Sequence, residues 1–125
     1  MSKAILVVED QEENRYLLRR LLTRAGYNMI EAITGEDGIA SAEKHRPDLI
    51  LMDIQLPGLD GYEATRRIKA NPALQSIPII AVTSYALSGD EAKALAAGCD
   101  AYVAKPFSPR ALLATIQSYL SDSTP

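Results

Sequence analysis

Five short apolar runs divide the chain, and the stretches between them carry apolar residues three and four apart. The first run, Ala4 to Val8, reads as a strand that Glu9-Asp10 ends. Leu17, Leu18, Leu21, Leu22 and Ala25 then recur at helical spacing, with Gly26 as the C-terminal stop. Arg15, Arg19, Arg20 and Arg24 occupy the other face, which is expected to be solvated. Asn28 to Ala32 predicts a second strand. Thr34, followed three residues later by Asp37, opens a second helix to about His45, and Pro47 stops it.

The third run, Leu49-Ile50-Leu51-Met52-Asp53-Ile54, is apolar over four residues without alternation, the pattern of a strand buried on both faces. Asp53 arrives at its end, before the turn-forming Leu56-Pro57-Gly58. Asp60 and Glu63 start a third helix to about Ala70, and Pro78 to Thr83 is a fourth strand ending on a hydroxyl. Ser88 and Glu91 form a capping box for an alanine-rich helix that Gly98 terminates. Ala101 to Lys105 is the fifth strand. Ser108 caps a last helix with Pro109 at its first position and Ala111, Leu112, Thr115, Ile116, Tyr119 and Leu120 facing inward.

Alternating strands and helices imply an α/β fold with a parallel sheet covered on both faces. The common five-stranded version is the flavodoxin-like (βα)5 arrangement in order 2-1-3-4-5, whose switch point lies between strands 1 and 3. The polar strand ends then converge on one rim: Glu9 and Asp10, Asp53, Thr83 and Lys105. Strand 2, at the edge, need not contribute.

The remaining composition narrows the function without naming it. The 125 residues suit one domain over residues 1–125, with a core at 3–120, and 47% hydrophobic content excludes disorder. Sixteen acidic against 13 basic residues, net −3, argue against nucleic acid as a partner. Cys99 has no partner for a disulfide, and no apolar run is long enough to span a membrane, so a cytoplasmic protein is expected. Clustered carboxylates repel unless a cation intervenes, and a hard divalent ion such as Mg²⁺ suits an all-oxygen set. With Lys105 for a phosphoryl oxygen and Thr83 as a hydroxyl donor, the rim describes a site that forms an aspartyl phosphate. Simpler readings compete: Asp10 as the N-cap of helix 1, Tyr102 as core packing, His45 as a surface residue and Cys99 as a small core hydrophobe.

The motifs Val7-Val8-Glu9-Asp10, Leu51 to Gly61, Ala81-Val82-Thr83-Ser84 and Gly98 to Phe107, in this order and spacing, resemble receiver domains of two-component response regulators. The resemblance covers residues 3–120 and is closest to stand-alone regulators and hybrid-kinase receivers. It implies that Asp53 is the phosphoacceptor, Asp10 a direct metal ligand, Glu9 a ligand through water and Gln55 a backbone-carbonyl ligand. It also implies Thr83 and Tyr102 as switch residues, Lys105 as the phosphate-sensing lysine and a cis bond before Pro106. The expected donor is a histidine kinase or phosphotransfer protein. The expected output is a protein target read through helix 4, strand 5 and helix 5. No membrane partner, output domain or enzymatic activity beyond the domain's own phosphorylation and dephosphorylation is expected. Two alternatives stand beside it: a receiver-like interaction module without phosphorylation, and a flavin-binding electron carrier. The acidic turn after strand 1 disfavours the second.

Overall fold

The computed structural model describes residues 3–83, 90–105 and 107–120. The elements are β1 (Ala4–Val8), α1 (Glu12–Arg24), β2 (Asn28–Ala32), α2 (Gly35–His45), β3 (Leu49–Asp53), α3 (Gly61–Ala70), β4 (Ile79–Thr83), α4 (Asp90–Ala97), β5 (Ala101–Ala104) and α5 (Pro109–Leu120). The strands form one parallel sheet in the order β2-β1-β3-β4-β5, as expected.

Side-chain alternation along the strands sorts the core into two halves. Leu6, Val8, Ile50, Met52, Ile79 and Ala81 face Ala42 of α2, Ala64 and Ile68 of α3, and Ala94 of α4. Ile5, Val7, Leu49, Leu51, Ile80 and Val82 face Leu18 and Leu22 of α1 and Leu112, Ile116 and Leu120 of α5. All five residues of β3 are buried, which explains why its apolar run does not alternate.

The helix starts follow local chemistry. Thr34 Oγ1 accepts from the Asp37 N–H at 3.0 Å, Asp60 Oδ1 from the Glu63 N–H at 2.9 Å and Ser108 Oγ from the Ala111 N–H at 3.3 Å. The Ser88–Glu91 capping box and the bond before Pro106 lie outside the described residues.

Two helical faces differ from expectation. In α1 only Leu18 and Leu22 are fully buried, whereas Leu17 is 63% exposed. Leu17 instead lines a cavity of about 840 Å³ between α1 and α5, with Leu21, Leu113, Arg20 and Arg24. In α5, Ala111 and Tyr119 turn outward, and the Tyr119 hydroxyl donates to the Asp100 carbonyl at 2.9 Å. Among the described residues no helix is long and apolar enough to cross a membrane.

Candidate functional site

Register sets the site. Val8 pairs with Met52, so Glu9 follows β1 level with Asp53 on β3, while Asp53 pairs with Val82 and Thr83 with Ala104. Glu9, Asp53, Thr83 and Lys105 thus meet at the C-terminal rim, where doubly wound sheets hold ligands. Glu9, Asp53 and Thr83 are buried; Asp10 is partly exposed.

Ligand oxygens of Glu9, Asp10 and Asp53 all lie within 4.8 Å of one another. Lys105 Nζ sits among them, 2.8 Å from Glu9 Oε1 and 3.7 Å from Asp53 Oδ2. Backbone donors fix both buried carboxylates: the Gln11 N–H to Glu9 Oε2 and the Gln55 N–H to Asp53 Oδ1, each at 3.0 Å. Among the described residues no buried side-chain polar atom lacks a partner.

The two buried acids titrate in opposite directions. Burial pushes Asp53 up to about 6; the Gln55 N–H opposes this, and the negative charge of Glu9 adds to it. Burial also raises Glu9, but the hydrogen bond from Lys105, the Gln11 N–H and the lysine's charge outweigh it and hold Glu9 below the usual carboxylate range. Lys105 therefore serves Glu9 first, and Asp53 is the carboxylate short of positive charge.

The donor set fits a hard divalent cation: three carboxylates, all oxygen, with one of them destabilised as an anion. The close approach behind Asp53 depends on Gly61. A Cβ there would collide with the Asp53 carbonyl oxygen and lie 2.7 Å from Ile54 Cα. Gly58, at φ +73°, takes the left-handed conformation that turns the loop toward α3.

Three local expectations change. Asp10 does not cap α1, because the N-cap is Gln11, in extended conformation and with no side-chain cap bond. The α1 arginines are not uniformly solvated: the Arg15 side chain is 14% exposed and its Nη1 donates to the Glu9 carbonyl at 2.9 Å. The edge strand supplies none of the three clustered carboxylates but acts indirectly, through Glu31 of β2, which lies 3.3 Å from Arg15 Nε. Arg15 shares a helical stripe with Leu18 and Leu22, but the leucine doublets left open which stripe turns inward, and burial of Leu18 and Leu22 decides it. His45 is exposed and Cys99 is buried, as expected; Tyr102 is half-buried against the α2–α4 side of the core, a placement that fits either of its two readings.

A parallel sheet with this order and an acidic rim bearing a lysine define a class of signalling domain, and residues 5–117 match the response regulator receiver domain. The chain belongs to that family, the phosphoacceptor domains of two-component signalling. It is 46% identical over 123 residues to the polar-differentiation response regulator DivK of Brucella anthropi, covering 98% of this chain and 100% of that protein. The receiver domain of sensor histidine kinase PA1611 of Pseudomonas aeruginosa, solved with a magnesium ion in its active site cleft, is 41% identical. It superposes with a TM-score of 0.89 over 95% of this chain and 98% of that one. Chemotaxis protein CheY4 of Vibrio cholerae is 28% identical, with a TM-score of 0.90 over 96% of this chain and 100% of that one. Receiver domains bind Mg²⁺ at an acidic site and interact with histidine kinases or phosphotransfer proteins and with downstream targets. Neither alternative, the phosphorylation-independent module or the flavin carrier, is favoured.

Proposed function

We propose that Asp53 is the phosphoryl acceptor, that Glu9, Asp10, Asp53 and the Gln55 carbonyl hold Mg²⁺, and that the chain catalyses only its own phosphorylation and dephosphorylation. The observation that carries this reading is the burial of Asp53 among two carboxylates and a lysine, with its pKa raised to about 6. An acid this crowded is poorly stabilised as an anion and is ionised at neutral pH, so it is available as a nucleophile.

An Asp53 carboxylate oxygen attacks the phosphorus of a phosphohistidine. The P–O bond forms as the P–N bond breaks, and the leaving imidazole takes up a proton. Bound Mg²⁺ would neutralise charge on the phosphoryl oxygens and on the acidic cluster. Lys105, 3.7 Å from Asp53, is within a small side-chain motion of an oxygen on the new phosphoryl group. The Gln55 N–H holds Oδ1 in place, which leaves Oδ2, the oxygen facing Lys105, to react. Thr83, on the adjoining strand, supplies a hydroxyl for the product.

Incubation with acetyl phosphate and Mg²⁺ should add one phosphoryl group per chain, read by intact mass. Asp53→Asn should abolish it. Undiminished labelling of the Asn variant would place the acceptor elsewhere.

A further inference from the structure

The peptide that joins Glu9 to Asp10 lies beyond the last residue of β1, yet it carries two of the three acids of the pocket. On one side the Glu9 N–H is bonded to the Ala32 carbonyl of β2 at 3.0 Å. On the other, the Glu9 carbonyl, which belongs to the Glu9–Asp10 peptide itself, accepts from Arg15 Nη1 at 2.9 Å. Arg15 reaches it from the first turn of α1 and is held in turn. Its Nε faces Glu31 Oε1 at 3.3 Å, and its Nη2 faces Glu12 Oε1 at 3.6 Å. Glu31 is fixed by Arg19, through Nε at 2.8 Å and Nη2 at 2.6 Å. A relay therefore runs from the edge strand to the acidic pair.

We propose that Arg15 is a positioning residue for the cation pocket: by pinning the Glu9–Asp10 peptide to Glu31 of β2, it sets where those two carboxylates stand relative to Asp53. It bonds the backbone of Glu9, so it acts on the pocket through geometry. Only an arginine fork joins a carbonyl and a carboxylate in one rigid plane; a lysine donates from a single point. The inference rests on the reading of Glu9, Asp10 and Asp53 as the Mg²⁺ pocket.

A bystander role makes the opposite forecast. A guanidinium near a dication site repels the dication, so deleting its charge should tighten binding. Loss of a group that orients ligands should weaken it, by about tenfold for partners of this kind. Amide NMR titration of the full, unphosphorylated chain with Mg²⁺ at constant ionic strength separates these outcomes. Arg15→Gln should lose about tenfold in affinity and Arg15→Lys less, because the lysine keeps a donor and the charge. Arg24→Gln, an equal charge loss at the exposed end of α1, should bind as wild type does. An Arg15→Gln variant that binds as tightly as wild type, or more tightly, overturns the proposal. If that variant does not fold, Arg15→Lys at full wild-type affinity overturns it. Asp10→Ala is the control on the underlying reading: if it binds Mg²⁺ as wild type does, or if wild type binds none, the pocket itself is misassigned and the proposal falls with it.

Discussion

At the scale of single residues, the site concentrates unfavourable charge on Asp53. Its pKa is about 6 in the folded chain against an ordinary 3.8. Between those values the folded state holds a proton that the unfolded chain has released, so stability falls as pH rises through that window. Glu9 shifts the other way and contributes stability above its own depressed range, lost as pH falls through it. Asp53 is 6% exposed, so little solvent screening discounts its effect. A difference of this size corresponds to roughly 2–3 kcal/mol, shared within the Glu9–Asp53 pair. In chelator, Asp53→Asn should therefore be more stable than wild type by on the order of 2 kcal/mol near neutral pH, with the gain shrinking toward zero at about pH 4. Urea unfolding at several pH values measures this. A gain that is constant across pH would mean that the charge of Asp53 is not its source. The sequence brought Asp53, Glu9 and Lys105 to one rim because each follows an apolar strand run, and alternating strands and helices put all those strand ends on the same edge of a parallel sheet. It did not assign the lysine to Glu9, because register fixes which strand ends meet and not which oxygen a flexible side chain selects.

At the scale of elements, the strands were legible because burial on both faces leaves an unbroken apolar run, and the helix starts because Thr34, Asp60 and Ser108 satisfy otherwise unpaired N–H groups. Helix orientation was harder to read. Leu17-Leu18 and Leu21-Leu22 are doublets, and adjacent helical positions differ by about 100°, so the apolar pattern alone does not say which leucine turns inward. The structure buries Leu18 and Leu22, which places Arg15 on the inner stripe. Motif residues also divide by task. Asp100, within the Gly98 to Phe107 stretch, stands at the far end of β5 and is structural: it accepts from the Ile79 N–H at 2.8 Å and from Lys69 at 3.1 Å. Among the described glycines the one with least room for a side chain is Gly61, where α3 meets the Asp53 backbone at the end of β3. Gly61→Ala should cost about 1–3 kcal/mol, because backbone cannot yield as a side-chain tip does. Displacing Asp53 should also slow labelling by acetyl phosphate. Thermal unfolding and labelling rate check the two parts, and an Ala variant with wild-type stability would refute the close approach.

At the scale of the whole molecule, a domain of this kind signals only by changing a surface that another protein reads, so its two states must differ in the contacts they offer. Phosphorylation of Asp53 would add charge and acceptor oxygens at the rim. Thr83 lies one residue beyond the Asp53–Val82 pair on the adjoining strand, and its carbonyl accepts from the Lys105 N–H at 2.6 Å, so the two strand ends that carry the hydroxyl and the lysine are bonded to each other. A Thr83 hydroxyl drawn toward the phosphoryl group would vacate space behind it. Tyr102 pairs with Ala81 two residues earlier on β4, is half-buried and packs on the α2–α4 side, within reach of that space. The rearrangement would then reshape α4, β5 and α5 while leaving the distant face of α2 as it was. We predict that Thr83→Ala still accepts phosphate but loses most of the phosphorylation-dependent gain in target affinity, that Tyr102→Ala does the same, and that substitutions on the outer face of α2 do neither. The measurement is target affinity for the phosphorylated and unphosphorylated forms of each variant. If Thr83→Ala keeps the full difference, the phosphoryl group is read without its hydroxyl. The route through Lys105 would then remain, because its ion pair with Glu9 must loosen for the lysine to reach the phosphoryl group.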